Sequence, residues 1–148
     1  MGAAALICAA ADESPEGQAI EAIAVYGTYG SMRGLVQTIG QRYFLPPLDK
    51  LVRWVGIPLA SAQVGSDLME FAPADVVQKL WPRPILIIHG IEDEIIAFEN
   101  GQALYRAATF PKRRIWVPES DHNSIVSDDA LSEAVTEFFD TAHPTPLI

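Results

Sequence analysis

The 148-residue sequence predicts an α/β fold built on a parallel sheet, and three features carry that prediction. Pro84-Ile85-Leu86-Ile87-Ile88-His89 is a continuous apolar run rich in β-branched residues, the pattern of a strand covered on both faces. Glu99–Ala108 follows it with Ala103, Leu104, Ala107 and Ala108 on one side, the spacing of an amphipathic helix. Arg114-Ile115-Trp116-Val117 then repeats the strand pattern, and Leu131, Ala134, Val135 and Phe138 form the stripe of a last helix. Strand, helix, strand, helix at this spacing gives right-handed βαβ units.

The remaining elements follow in order. Residues 2–11, GAAALICAAA, are apolar, but no Lys or Arg precedes them and the run is short for a secretory signal. Leu6 occupies the position where N-myristoylation needs Ser or Thr. Ala is the strongest helix former, so the segment reads as a helix stopped by Asp12-Glu13-Ser14-Pro15-Glu16-Gly17. A helix this uniformly apolar calls for cover on nearly every side. Residues 22–26 read as a short buried strand entering a Gly27–Gly30 loop. Pro46-Pro47, Pro58 and Pro73 break the next stretch into short helical pieces such as 48–55 and 76–80, a cap-like excursion rather than sheet. After the 84–89 strand comes the loop 90–94, and after the 114–117 strand the loop 119–123. Ser127 is placed to cap the last helix, with Asp128 and Asp129 in its first turn. The chain divides into 1–39, a cap-like 40–80 and a strand–helix–strand–helix unit at 81–148, within one domain.

Composition narrows the function classes. Ten Lys and Arg against nineteen Asp and Glu leave a net charge of −9, which opposes nucleic-acid binding and attraction to an anionic membrane face. The single cysteine, Cys8, excludes an internal disulfide framework and any CxxC pair. No apolar run approaches the roughly 18 residues of a membrane helix. With a free cysteine and no targeting segment, a cytoplasmic location is expected.

In open parallel sheets the functional crevice lies beyond the carboxyl ends of the strands. Asp93 and His122 leave successive strand ends, and a carboxylate from one loop can orient an imidazole from the other as a general base. Locally, Glu92-Asp93-Glu94 also reads as a solvated acidic loop, and His122 between Asp121 and Asn123 as a polar surface turn. His89, ending a buried strand, reads as a structural histidine. A metal site from Asp93, Glu94, Asp121 and His122 has no HExxH or DxDxDG pattern behind it.

Order and wording sharpen the choice. Residues 84–98, PILIIHGIEDEIIAF, resemble the α/β-hydrolase superfamily, in particular the Bem46-like and serine-aminopeptidase-like serine hydrolases, in which a buried strand ends in His-Gly-x-x-Asp. Leu104-Tyr105 match a Leu-Tyr pair on the helix that follows, and residues 115–123, IWVPESDHN, resemble the strand and loop that carry the histidine. Residues 26–33, YGTYGSMR, resemble the loop after the family's sixth strand. The resemblance implies Asp93 as triad acid and His122 as triad base, in the family's Ser…Asp…His order, with no cofactor or metal and a small ester, thioester or amide as substrate. Ser120-Asp121 replace the small pair usual before the histidine.

The family's nucleophile sits in G-x-S-x-G, and none of the serines at 14, 31, 61, 66, 120, 124, 127 and 132 has Gly at both −2 and +2. Met1-Gly2 followed by small residues matches the second half of Gly-x-Ser-Met-Gly. The resemblance therefore places the nucleophile immediately before Met1 and makes the backbone N–H of Met1 an oxyanion donor. On that reading five strands of the family's eight-stranded sheet precede residue 1. The chain is then inactive alone, and its 22–26 strand offers an open edge for self-association. Two other classes remain: a non-catalytic module that pairs this edge with a partner, and a flavodoxin-like domain holding a cation on the 92–94 loop.

Overall fold

The protein is described by a computed structural model covering residues 2–43, 48–64, 70–124 and 129–142. The elements run α1 (Gly2–Ala10), α2 (Pro15–Gln18), β1 (Ile23–Tyr26), α3 (Met32–Tyr43), α4 (Leu48–Leu51), a π-helical turn (Val52–Gly56), α5 (Ile57–Val64), α6 (Pro73–Val76), a 3-10 turn (Val77–Leu80), β2 (Ile85–Gly90), α7 (Phe98–Ala107), β3 (Lys112–Val117) and α8 (Asp129–Ala142). The described part of the 48–80 segment holds helices and helical turns and no strand, with Phe71 and Ala72 irregular between them, in keeping with its prolines. Strand β3 starts two residues earlier than its apolar core suggests, because Lys112 and Arg113 continue the pairing with Ile85 and Leu86.

The three strands form one parallel sheet in the order β1-β2-β3, with Ile23 opposite Ile85 and Gly90 opposite Val117. Central β2 is buried at all six positions, as a strand covered on both faces must be. Alternation sorts the side chains into two cores. Ile23, Val25, Ile85 and Ile87 pack with Ile7 and Ala10 of α1, Leu80, and Leu104 of α7. Leu86 and Ile88 pack on the opposite face with Phe138 of α8, flanked by Ala24, Ile115, Val117, Leu131 and Val135. Each fully buried Leu, Ile or Phe contributes about 1.5–3 kcal/mol, so both faces are firmly closed.

Helix α1 is covered on one face rather than on nearly every side. It is buried along a single stripe (Ala4, Ile7, Ala10 and Ala11), while Ala5, Leu6 and Ala9 face solvent. The cover comes from β1, α2, α6 and the turn at 77–80, with Tyr29, Met32 and Ile96 packed on Ala4. Its carboxyl end is held by Arg83, which donates to the carbonyls of Ala10, Gly17, Ile20 and Leu80 at 2.7, 2.8, 3.0 and 3.2 Å. The Ser127 and Asp128 cap of the last helix lies outside the described residues, and no described helix is long and apolar enough to cross a membrane.

Candidate active site

Two loops leave the carboxyl ends of β2 and β3 and are stitched to each other. Ile91 N–H donates to the Val117 carbonyl at 3.0 Å, and Glu92 N–H to that of Ser120 at 3.2 Å. The two backbones pass so closely that a Cβ at Gly90 would collide with the Ser120 carbonyl oxygen, so glycine is required there. The second loop turns through Glu119, which adopts a left-handed φ of 53°. It then folds around Asp121, whose Oδ1 accepts from Asn123 N–H and Ser124 N–H, both at 2.8 Å. Those backbone donors, Ser124 first, hold the Asp121 carboxyl below its ordinary value.

This stitching brings Asp93 and His122 together. The His122 Nδ1–H donates to Asp93 Oδ2 at 2.7 Å, across 29 positions of sequence. The Asp93 side chain is 1% exposed and that of His122 26%. Asp93 Oδ1 accepts from Ile95 N–H at 2.9 Å and Ile96 N–H at 2.8 Å, so three of the roughly four lone-pair directions on the carboxylate are used. Only Glu92 and Glu94 fit the solvated-loop reading; Asp93 does not. A carboxylate whose oxygens are taken by three N–H donors also leaves little for a cation on this loop. With Nδ1 turned to Asp93, Nε2 is the ring nitrogen left to face a reacting group. The carboxylate holds the imidazole in one orientation, a geometry suited to moving a proton at Nε2.

Two further residues complete the arrangement. Gly27, just past β1, has φ +52°, and a Cβ there would stand 2.9 Å from His122 Cε1 and 3.1 Å from Nδ1. It backs the imidazole, and the only sequence sign of this is a glycine directly after a strand. His89 is fully buried with its Nε2 at 2.8 Å from the Ile96 carbonyl, in keeping with its structural reading. The Met1 position assigned to the oxyanion hole lies outside the described residues. Cys8 is half-buried in α1, where desolvation raises its thiol pKa. The clefts of about 380 and 370 Å³ lie elsewhere, at the opposite end of the sheet by Phe110 and Phe138 and between α3, α6 and α7.

The three-stranded parallel sheet flanked by helices has the α/β-hydrolase fold, and the comparisons with known proteins agree with it. The chain is 40% identical over 68 residues to the human alpha/beta hydrolase domain-containing protein 17B, an alignment covering 46% of this chain and 23% of that protein. It is 34% identical over 64 residues to the uncharacterized protein YfhR of Salmonella typhimurium, covering 41% and 22% respectively. The chain therefore matches less than a quarter of the length of either relative. Among solved structures, the esterase domain from a Rhodothermus marinus protein superposes with a TM-score of 0.59 at 24% identity, over 95% of this chain and 54% of that one. An acetyl xylan esterase from Paenibacillus sp. R4 gives 0.63 at 14% identity, over 97% and 43%. A meta-cleavage product hydrolase from Pseudomonas fluorescens IP01 gives 0.61 at 18% identity, over 95% and 62%. These three share the fold. No protein-family model matches the chain.

Proposed function

We propose that this chain carries the acid and base of a Ser-His-Asp acyl hydrolase, with Asp93 orienting His122 and His122 Nε2 taking the proton of a serine hydroxyl outside these 148 residues. The 2.7 Å Asp93–His122 hydrogen bond carries this reading, because it fixes the tautomer a general base needs. In the reaction the serine attacks an ester, thioester or amide carbonyl as its proton passes to Nε2. Collapse of the tetrahedral intermediate expels the leaving group, protonated by His122, and water then repeats the sequence to free the acid. No cofactor enters these steps, and a cytoplasmic location accords with the composition.

The 148 residues contain no G-x-S-x-G, so they alone perform no triad catalysis. The DNA upstream of the Met1 codon tests this directly: Gly-x-Ser is expected to read straight into Met1. The purified chain is expected to form no adduct with a fluorophosphonate and to hydrolyse p-nitrophenyl esters no faster than its His122→Ala variant. Fluorophosphonate-sensitive turnover abolished by His122→Ala would place the nucleophile inside the chain and overturn this part of the reading.

A second reading rests on β1. In a parallel ladder, alternate residues of an edge strand turn their N–H and C=O groups outward, and here those residues are Ala24 and Tyr26. Among the described residues no strand pairs with that side. Self-association through this edge is the corresponding proposal.

A further inference from the structure

We infer that His89 is a positioning residue for the Asp93–His122 pair, acting through the backbone of Ile96; this rests on the hydrolase reading above. The His89 ring lies under the turn that carries Asp93. Its Nε2 is 2.8 Å from the Ile96 carbonyl, an acceptor, so Nε2 carries the proton and donates it. Ile96 N–H in turn donates to Asp93 Oδ1 at 2.8 Å. One peptide residue thus receives a hydrogen bond from His89 and passes one to the catalytic carboxylate. Asp93 Oδ2 lies 3.6 Å from the same His89 nitrogen, beyond a hydrogen bond but close enough to feel its N–H dipole.

The ring cannot turn away. Phe98 meets it edge-on with centroids 6.0 Å apart, and a Cβ at Gly101 of α7 would sit 2.5 Å from Nδ1. Nδ1 is buried with no hydrogen-bond partner, so the opposite ring orientation would leave the Ile96 carbonyl without this donor. The Ile96 side chain is held from above by Ala4, Tyr29 and Met32. Ile96 is therefore fixed at both its carbonyl and its side chain, and its N–H has one direction in which to point. That direction fills Oδ1 and leaves Oδ2 to His122.

The test is imidazole NMR on the chain labelled with ¹⁵N-histidine, comparing His89→Gln with His89→Asn. Glutamine places an N–H near the former Nε2; asparagine is equally polar but too short to reach Ile96. A purely structural role would lower stability in both variants and leave the His122 Nδ1–H signal alike in both. The positioning role predicts that His89→Gln keeps this signal, whereas in His89→Asn the proton exchanges about tenfold faster, the loss of roughly one net hydrogen bond. Gly101→Ala, a helix-favouring change that displaces the ring without removing its donor, is expected to disturb the same signal and serves if the His89 variants do not fold. Equal His122 signals in Gln and Asn variants, or an unaltered one in folded Gly101→Ala, would overturn the inference. Absence of the His122 Nδ1–H signal from the unsubstituted chain would instead sink the hydrolase reading beneath it.

Discussion

Two residues beside the acid–base pair show how little room it has. Gly27 combines a left-handed backbone with an imidazole pressed against its α-carbon, so Gly27→Ala faces a conformational cost of about 1–2 kcal/mol before any contact is counted. The added Cβ then meets His122 Cε1 at 2.9 Å, and the ring is the mobile partner because a quarter of it is exposed. Gly27→Ala is expected to lower the urea midpoint modestly and to abolish the Asp93–His122 proton signal; a variant that keeps the signal would show that Gly27 does not back the ring. Asp121 governs the other side. Its folded pKa lies below the ordinary 3.8, so its contribution to the 121–124 turn is complete above that value and is lost as the pH falls below it. The Asn123 and Ser124 amide resonances should therefore hold steady from neutrality to about pH 4 and move only below it. In Asp121→Asn that acid transition should vanish.

At the scale of elements, Arg83 is the fastening between α1, α2 and the entry to β2. Its guanidinium donates to four carbonyls from three segments, and removing it takes this donor from the Ala10 carbonyl at the end of α1 and from the Gly17 and Ile20 carbonyls. Arg83→Ala is expected to destabilise by about 2–4 kcal/mol, with Arg83→Lys recovering part of the loss because an ammonium lacks the planar fork. Chemical denaturation with hydrogen exchange on Ile7 and Ala10 checks both the size and the place of the effect. The sequence says nothing of this role, since a lone Arg between two prolines has no periodicity to read. Other elements were legible. The Pro84–His89 run could only be a doubly covered strand, and its all-buried profile follows from the apolar pattern alone. Asp93 and His122 were visible as residues at strand ends, but locally each looked as much like surface. What joins them is backbone: the Gly90–Ser120 approach, the Ile95 and Ile96 amides, and the left-handed Gly27 and Glu119. Backbone hydrogen bonds between distant loops leave no mark on side-chain type, which is why the pair was suggested by motif order rather than by spacing.

At the scale of the whole molecule, two opposing forces act on the edge of β1 that no strand pairs among the described residues. Outward N–H and C=O groups on a four-residue apolar strand invite a second strand, and Tyr26 adds a side chain 44% exposed at its end. A net charge of −9 on each copy repels any second copy over a distance set by salt. Strand pairing acts at contact and is not screened, whereas the repulsion is reduced as the Debye length falls from about 10 Å at 0.1 M salt to about 3 Å at 1 M. Self-association through β1 should therefore strengthen with salt, the reverse of an association held by ion pairs. Sedimentation velocity across that range is expected to show a larger fast-moving fraction at high salt. Tyr26→Lys should suppress it, because a lysine on an edge strand resists a neighbouring strand. The substitution also lowers the net charge from −9 to −8, which by itself would favour association, so suppression would have to come from the edge. Association that weakens with salt, or that survives Tyr26→Lys unchanged, would show that copies meet through some other surface.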